Sequence, residues 1–279
     1  MPKFRRAVVG GTFDHLHLGH VALIRAAFRV GREVAVGVTT DRFLVAHPKP
    51  DSALIQPYAT RVRVLRRFLA TEYPRARWTT GALDDPFGGS VLPGVDVLVV
   101  SAETANGADL VNAERRRLGR SPVPVATVPI VLADDLGPIS SRRIRAGEID
   151  REGHRRAPIR VGVAADLPEA LPVMVRTIRR AFRSARVAPR PAPLGRPRGA
   201  SAPRAAVLAG RAMIGTEFAV GLAGRPPGPW TVVIRSPSVL LPPRRIRPGT
   251  IPALERGLYA LLRPGVERNA FPSPRTSRR

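Results

Sequence analysis

The chain predicts an α/β protein: a parallel sheet with helices on both faces over its first half, then a second, smaller α/β domain. Apolar stretches of strand length alternate with stretches of helical periodicity along residues 4–150, the pattern of parallel strands joined by crossover helices. The first strand-like stretch ends in a glycine turn within "VVGGTFDHLHLGH", residues 8–20, and in such sheets ligands bind beyond the carboxyl ends of the strands. Charge divides the chain: residues 151–279 hold 25 basic and 6 acidic residues, leaving 21 and 15 to residues 1–150. That asymmetry marks two units with different histories or partners.

The elements follow in order. "RRAVVGG" (5–11) reads as a buried strand closed by Gly10 and Gly11, and "HVALIRAAFRVG" (20–31) as a helix stopping at Gly31. "EVAVGVTT" (33–40) is a second strand, and "DRFLVAHPKPDSALIQ" (41–56) a connecting segment with two prolines. "YATRVRVLRRFLATEY" (58–73) is an amphipathic helix with Val62, Leu65, Phe68 and Leu69 on one side. "ARWTTGAL", "VDVLVVSAE" and "VPVATVPIV" supply further strands, and "DLVNAERRRLG" a helix closed by Gly119. "ISSRRIRAGEID" (139–150) is a loop leading into a short helix.

The charged segment 151–158 reads as a linker between a domain spanning 1–150 and one spanning 159–265. In the second block, "IRVGVAAD", "EFAVGLAG" and "WTVVIRS" read as strands, and the segments at 171–185, 204–215 and 251–263 as helices. The Pro- and Arg-rich segment 187–203 reads as an exposed loop, and 266–279 as a disordered tail.

The composition excludes several classes. The chain has no cysteine, which removes disulfides, thiolate metal sites and cysteine nucleophiles. No apolar run approaches the length of a bilayer span, and the N-terminus reads straight into a strand, so a soluble cytoplasmic protein is expected. The net charge of +25 suits phosphate-bearing partners, nucleotide or nucleic acid. A compositional bias toward Arg, Ala and Pro accounts for it equally well.

Three of the five histidines fall in the opening stretch. Gly10 and Gly11 permit a tight turn and close approach of a ligand to the backbone. Thr12 adds a hydroxyl and a backbone N–H. His17 and His20, three apart at a helix start, lie on one side of its first turn. Unpaired N–H groups and the positive dipole end favour phosphate there. Two imidazoles beside them can donate to phosphate oxygens as charge builds during transfer. A metal site with Asp14 as a partner and purely structural histidines are the alternatives. The turn has neither the GxGxxG spacing nor the GKS or GKT of a P-loop.

"GGTFDHLHLGH" resembles the nucleotidyltransferase signature, and "ISSRRIRAGEID" resembles the superfamily's second, Ser-rich basic signature. "VGVTTDRFL" and the stretch from "DDPFGGS" to "NAERRRLG" between them are similar to archaeal-type phosphopantetheine adenylyltransferases. The likeness spans roughly residues 5–150. It implies a Rossmann-like nucleotidyltransferase sheet and transfer of the adenylyl group of ATP to 4'-phosphopantetheine, giving dephospho-coenzyme A and pyrophosphate. It implies His20 and His17 as catalytic residues, and ATP contacts from Gly11, Thr12, Phe13, His17, His20, Ser140, Ser141, Arg143 and Arg145. It implies Mg²⁺ carried on the ATP phosphates, with no protein metal site. Thr12, Arg42, Lys49 and Arg61 are candidates for the phosphopantetheine phosphate. Many members of the family have Thr where Arg142 stands. Ser101–Thr104 reads either as an adenosine contact or as a helix cap. A different acceptor, such as nicotinamide mononucleotide or FMN, and an idle fold used for nucleic-acid binding are the rival functions.

Residues 158–265 resemble the inosine/xanthosine triphosphatase family through "IRVGVAAD…VRTIRRAF" and "RAAVLAGRAMIGTEFAVGLAGR…WTVVIR". Ala164, Ala165, Asp166 and Pro168 stand where that family has its phosphate-gripping turn, and Ala223 and Arg225 where it has a metal-binding Glu and a Gly. The resemblance therefore implies a degenerate, inactive domain serving oligomerisation, stability or regulation. Nucleic-acid binding is expected only through this basic half, and no membrane association is expected.

Overall fold

The computed structural model describes residues 2–48, 51–182, 185–190, 201–224, 228–237, 240–247 and 250–262. They divide into two compact units, one up to Val131 with Ile139–Gly147, the other Leu132–Pro138 with Glu148 onward. The units are interleaved along the chain rather than consecutive.

In the first unit, β1 (Phe4–Gly11), β2 (Gly31–Thr39), β3 (Arg77–Leu83), β4 (Val97–Ser101) and β5 (Val125–Val128) form one sheet in the order β3-β2-β1-β4-β5. Every pairing is parallel. Its helices are α1 (Leu18–Val30), α2 (Asp41–Ala46), α3 (Tyr58–Glu72), α4 (Ala105–Arg117) and α5 (Ser141–Arg145).

Period-two alternation sends Ala7, Val9, Val34, Val36, Val97 and Val99 to one face, where they pack with Leu23 and Ile24 of α1 and Leu65 and Leu69 of α3. The other face sends Leu98 toward Ala108 and Val111 of α4. Helices thus cover both faces, as the alternating pattern implies.

On that second face β1, β2 and β3 keep an open cavity of about 370 Å³. Gly10, Gly37 and Gly81 stand in register across the three strands on its floor. Leu83 lies flat over the first two: a Cβ on Gly37 would meet its side chain at 2.7 Å, and one on Gly10 at 3.2 Å. A Cβ on Gly81 would meet nothing within 4 Å, so the floor is open there.

The segment 41–56 is more ordered than a connection. Thr40 caps α2 by accepting from the Phe43 N–H at 3.2 Å. Gly31 does not end α1 by a left-handed turn. It is the first residue of β2, where a Cβ would lie 2.6 Å from that of Ala7.

In the second unit, β6 (Arg160–Ala165), β7 (Arg186–Pro189), β8 (Phe218–Ala223), β9 (Trp230–Arg235) and β10 (Arg244–Ile246) form a mixed sheet ordered β10-β9-β8-β6-β7. β6 runs parallel to β7 and β8, and β9 antiparallel to β8 and β10. α6 (Leu171–Ala181) and α8 (Ile251–Leu262) share a core with Val161, Val163, Phe218 and Trp230. α7 (Ala202–Ala212) lies on the opposite face against Ala164 and Ala219. Gly162 and Gly221 admit it, since a Cβ on either would collide with the α7 backbone.

The segment 151–158 is a tight turn inside this unit rather than a linker. Asp150 accepts from the N–H groups of Glu152 and His154, and Ile149 bridges Arg155. The segment 187–203 is not wholly loop, because β7 occupies its start. Residues 191–200 of that loop, Arg225 and the tail lie outside the described residues. Among the described residues no helix is long and apolar enough to cross a membrane.

Candidate active site

β1 delivers Gly10 and Gly11 to the carboxyl edge of the sheet, and the chain turns sharply. Phe13 and His15 both take positive φ, +52° and +43°, a conformation that costs non-glycine residues energy and persists where surroundings hold it. Phe13 is held by complete burial. The turn is also tied to Gln56: its side-chain oxygen accepts from the His15 N–H and its own N–H donates to Asp14 Oδ1, both at 3.0 Å.

His17 is the N-cap of α1. Its Nδ1 accepts from the Gly19 N–H at 3.1 Å, which leaves the ring proton on Nε2. His20, one turn on, stacks on it with ring centroids 3.8 Å apart and sits 5.2 Å from Phe13. A Cβ on Gly19 would lie 3.0 Å from the His17 ring, so glycine keeps that ring over the helix start.

Burial pushes the His17 pKa from 6.5 down to about 4, with Asp14 opposing and His15 reinforcing the shift. Burial, and then His17, holds His20 well below the ordinary histidine value. Its Nδ1 is enclosed without a hydrogen-bond partner. At neutral pH both rings are therefore uncharged.

Asp14 ties the second signature to the first. It is 2% exposed. Arg145 pairs with its carboxylate, and the Ser141 hydroxyl donates to its carbonyl at 2.7 Å. Ser140 caps α5 by accepting from the Arg143 N–H. The segment that carries α5, a strap over the turn, thus sets Ser141 and Arg145 on Asp14, beside Gly11, Thr12 and Phe13, with Ser140 and Arg143 in the α5 cap next to them in the chain. Arg142, at the divergent position, faces outward and pairs with Asp51 at 3.2 Å.

The basic candidates for the second phosphate separate. Arg61 must be corrected: it is 1% exposed, and four of its five guanidinium N–H groups are engaged within the protein. It donates to the carbonyls of Gln56 at 2.7 Å, Thr12 at 2.8 Å and Thr39 at 2.7 Å, and to the Asp41 carboxylate at 2.7 Å. It clasps the ends of β1 and β2 rather than offering charge to a ligand. Arg42 is exposed, its Nε 3.9 Å from the Asp84 carboxylate. Lys49 lies outside the described residues. Ser101 and Thr104 form a capping box, so of the two readings the structure shows the cap. Sequence reasoning missed Gln56 altogether and offered Asp14 only as a metal partner. The one available signal was the place of Asp14 inside the turn motif.

A glycine turn at the carboxyl edge of a parallel sheet, with two neutral imidazoles at the start of the first helix, stands where such sheets bind ligands. The chain belongs to the cytidylyltransferase-like family, whose model matches residues 8–147. It is 42% identical over 153 residues to the phosphopantetheine adenylyltransferase of Methanothermobacter thermautotrophicus, covering 54% of this chain and 90% of that one. It is 41% identical over 155 residues to the Pyrococcus abyssi enzyme of the same name, covering 55% and 97%. A bifunctional phosphopantetheine adenylyltransferase/NTP phosphatase of Thermoplasma acidophilum matches at 37% over 174 residues, covering 62% of this chain and about half, 52%, of that relative.

Proposed function

We propose that the first unit transfers the adenylyl group of ATP to 4'-phosphopantetheine, giving dephospho-coenzyme A and pyrophosphate in coenzyme A biosynthesis. The observation that carries this reading is the stacked, neutral His17–His20 pair at the start of α1, with the Asp14-anchored strap beside it.

The acceptor's phosphate is already an anion, so no general base is required. An acceptor oxygen forms a bond to the α-phosphorus as the bond to the β-phosphate oxygen breaks, and pyrophosphate leaves. The difficulty is to align two polyanions. In their neutral form the imidazoles admit both substrates without a fixed charge. The Nε2–H of His17 and the His20 ring then donate to phosphate oxygens, strengthening as negative charge gathers. Ser140, Ser141 and Arg143 are suited to the β- and γ-phosphates. Arg145 reaches them only by sharing its guanidinium with Asp14.

The open cavity over Gly10, Gly37 and Gly81 suits the slender pantetheine arm. It starts at the same turn as the histidines and is floored by small residues. Arg42 remains as a contact for the acceptor's phosphate. Mg²⁺ would arrive bound to the ATP phosphates. When bound, it would neutralise phosphate charge. ATP as donor supports the cytoplasmic location expected from the sequence.

In the second unit, Ala164, Ala165 and Ala223 offer no ligands where a triphosphatase needs them. Asp166 is engaged by Arg204 at 2.7 Å. Both support a degenerate domain, and inosine triphosphate should pass through the protein unhydrolysed.

The acceptor is tested by pyrophosphate release from ATP against 4'-phosphopantetheine, nicotinamide mononucleotide and FMN. Release with 4'-phosphopantetheine alone is expected. Release only with either of the others would reassign the acceptor.

A further inference from the structure

The second unit holds a cavity of about 730 Å³ between β9, β10 and α8, with Val232, Ile234, Leu241 and Ile246 on its apolar wall. Four arginines line it: Arg244, Arg245 and Arg247 along the edge strand and just beyond it, and Arg256 on α8. Among the described residues no acidic one lines it, and none of the four side chains makes a hydrogen bond or ion pair.

Arginines of this unit fall into two groups, and Arg176, Arg179 and Arg211 are others with no side-chain ion pair among the described residues. Arg155 pairs with Asp135, Arg160 with Glu217 and Arg204 with Asp166, while Arg180 lies over the Tyr259 ring at 4.7 Å. The acid nearest in sequence, Glu255, lines a separate cleft with Arg180 and Tyr259, which Arg256 also borders. What sets the four apart is that they line one recess with an apolar wall. Alternation along β10 puts Arg244 on the same strand face as Ile246. That face approaches α8 closely at Gly257, where a Cβ would lie 2.8 Å from Ile246.

Like charges gathered without counter-charge repel one another and favour a multivalent anion. Guanidinium groups take phosphates through paired donors and also stack on aromatic rings, and an apolar wall receives a base. The volume lies within the range of sites for nucleotide-sized ligands. The recess is at the β10 edge, away from the carboxyl ends of β6 and β8 where Asp166 and Ala223 stand. We propose that it is a binding site for a nucleoside polyphosphate, separate from the site on the first unit.

Calorimetric titration of the full chain with ATP and Mg²⁺ tests this. The unmodified protein is expected to bind two equivalents. The Arg244→Ala/Arg256→Ala variant should keep one and weaken the other by roughly tenfold or more, with adenylyl transfer unchanged. Arg244→Lys/Arg256→Lys, which keeps charge without the fork, should keep both, the second more weakly. If the first unit does not bind ATP, the counts become one and none, which sinks the transferase reading and leaves this one standing. Equal stoichiometry and affinity in the unmodified chain and the alanine variant would overturn the proposal. So would loss in that variant of single-stranded RNA binding alone.

Discussion

His17 and His20 gain their chemistry from where the turn buries them. A histidine whose folded pKa is held below its unfolded value binds more protons when unfolded, so stability rises with pH between the two values. For His17 the window runs from about 4 to 6.5, and His20 acts in the same direction. Stability is complete above pH 6.5 and falls as pH drops toward 4, by on the order of 3 kcal/mol from His17. Urea titrations at pH 7.5 and 4.5 check this. A His17→Gln variant should lose part of the pH dependence, and a variant with the full dependence would count against the assignment. Asp14→Asn removes the charge facing buried Arg145, and should cost about 3 kcal/mol or more and loosen ATP binding. The histidines stood out because their spacing sets them on one side of a helix start, whereas the serines stood out only through the resemblance of their segment to a known signature. Arg61 was not: one arginine among many becomes a buried clasp only when β1, β2, α2 and Gln56 close around it.

The elements of the first unit are mostly written in short-range pattern. β1, β2 and β4 are Val-rich stretches and α1 and α3 amphipathic, so alternation and periodicity suffice to find them. α2 was hidden by the prolines beyond it, although its Thr40 cap stands in the sequence. β7 was hidden inside a Pro- and Arg-rich segment, and it is formed by pairing with β6 rather than by propensity. Neither sequence signature points to the glycine row across β1, β2 and β3, because the row exists only in sheet register. Filling it at Gly81, where an added Cβ meets nothing within 4 Å, should obstruct the acceptor. Gly81→Val is therefore expected to raise KM for 4'-phosphopantetheine about tenfold while leaving KM for ATP and the melting temperature nearly unchanged. An unaltered acceptor KM would place the arm elsewhere.

At the scale of the whole chain, the boundary near residue 150 was only partly legible. Charge marks it, but the excursion of residues 132–138 into the second unit carries no compositional signal. Leu136, 1% exposed and at φ +59°, belongs to the second unit's core. Leu136→Ala should therefore lower the melting temperature, at a cost of about 2–4 kcal/mol, although it lies in the first half of the sequence. A full-length chain that melts unchanged would contradict the interleaved division. The central claim concerns the first unit and rests on one pair of rings. The most direct measurement follows dephospho-coenzyme A formed from ATP and 4'-phosphopantetheine by the unmodified chain and by His20→Ala. We expect product from the former, and from the latter a fall in kcat of about a hundredfold or more with KM for ATP within a few-fold. Near-normal turnover by His20→Ala, or no product from the unmodified chain, would contradict it.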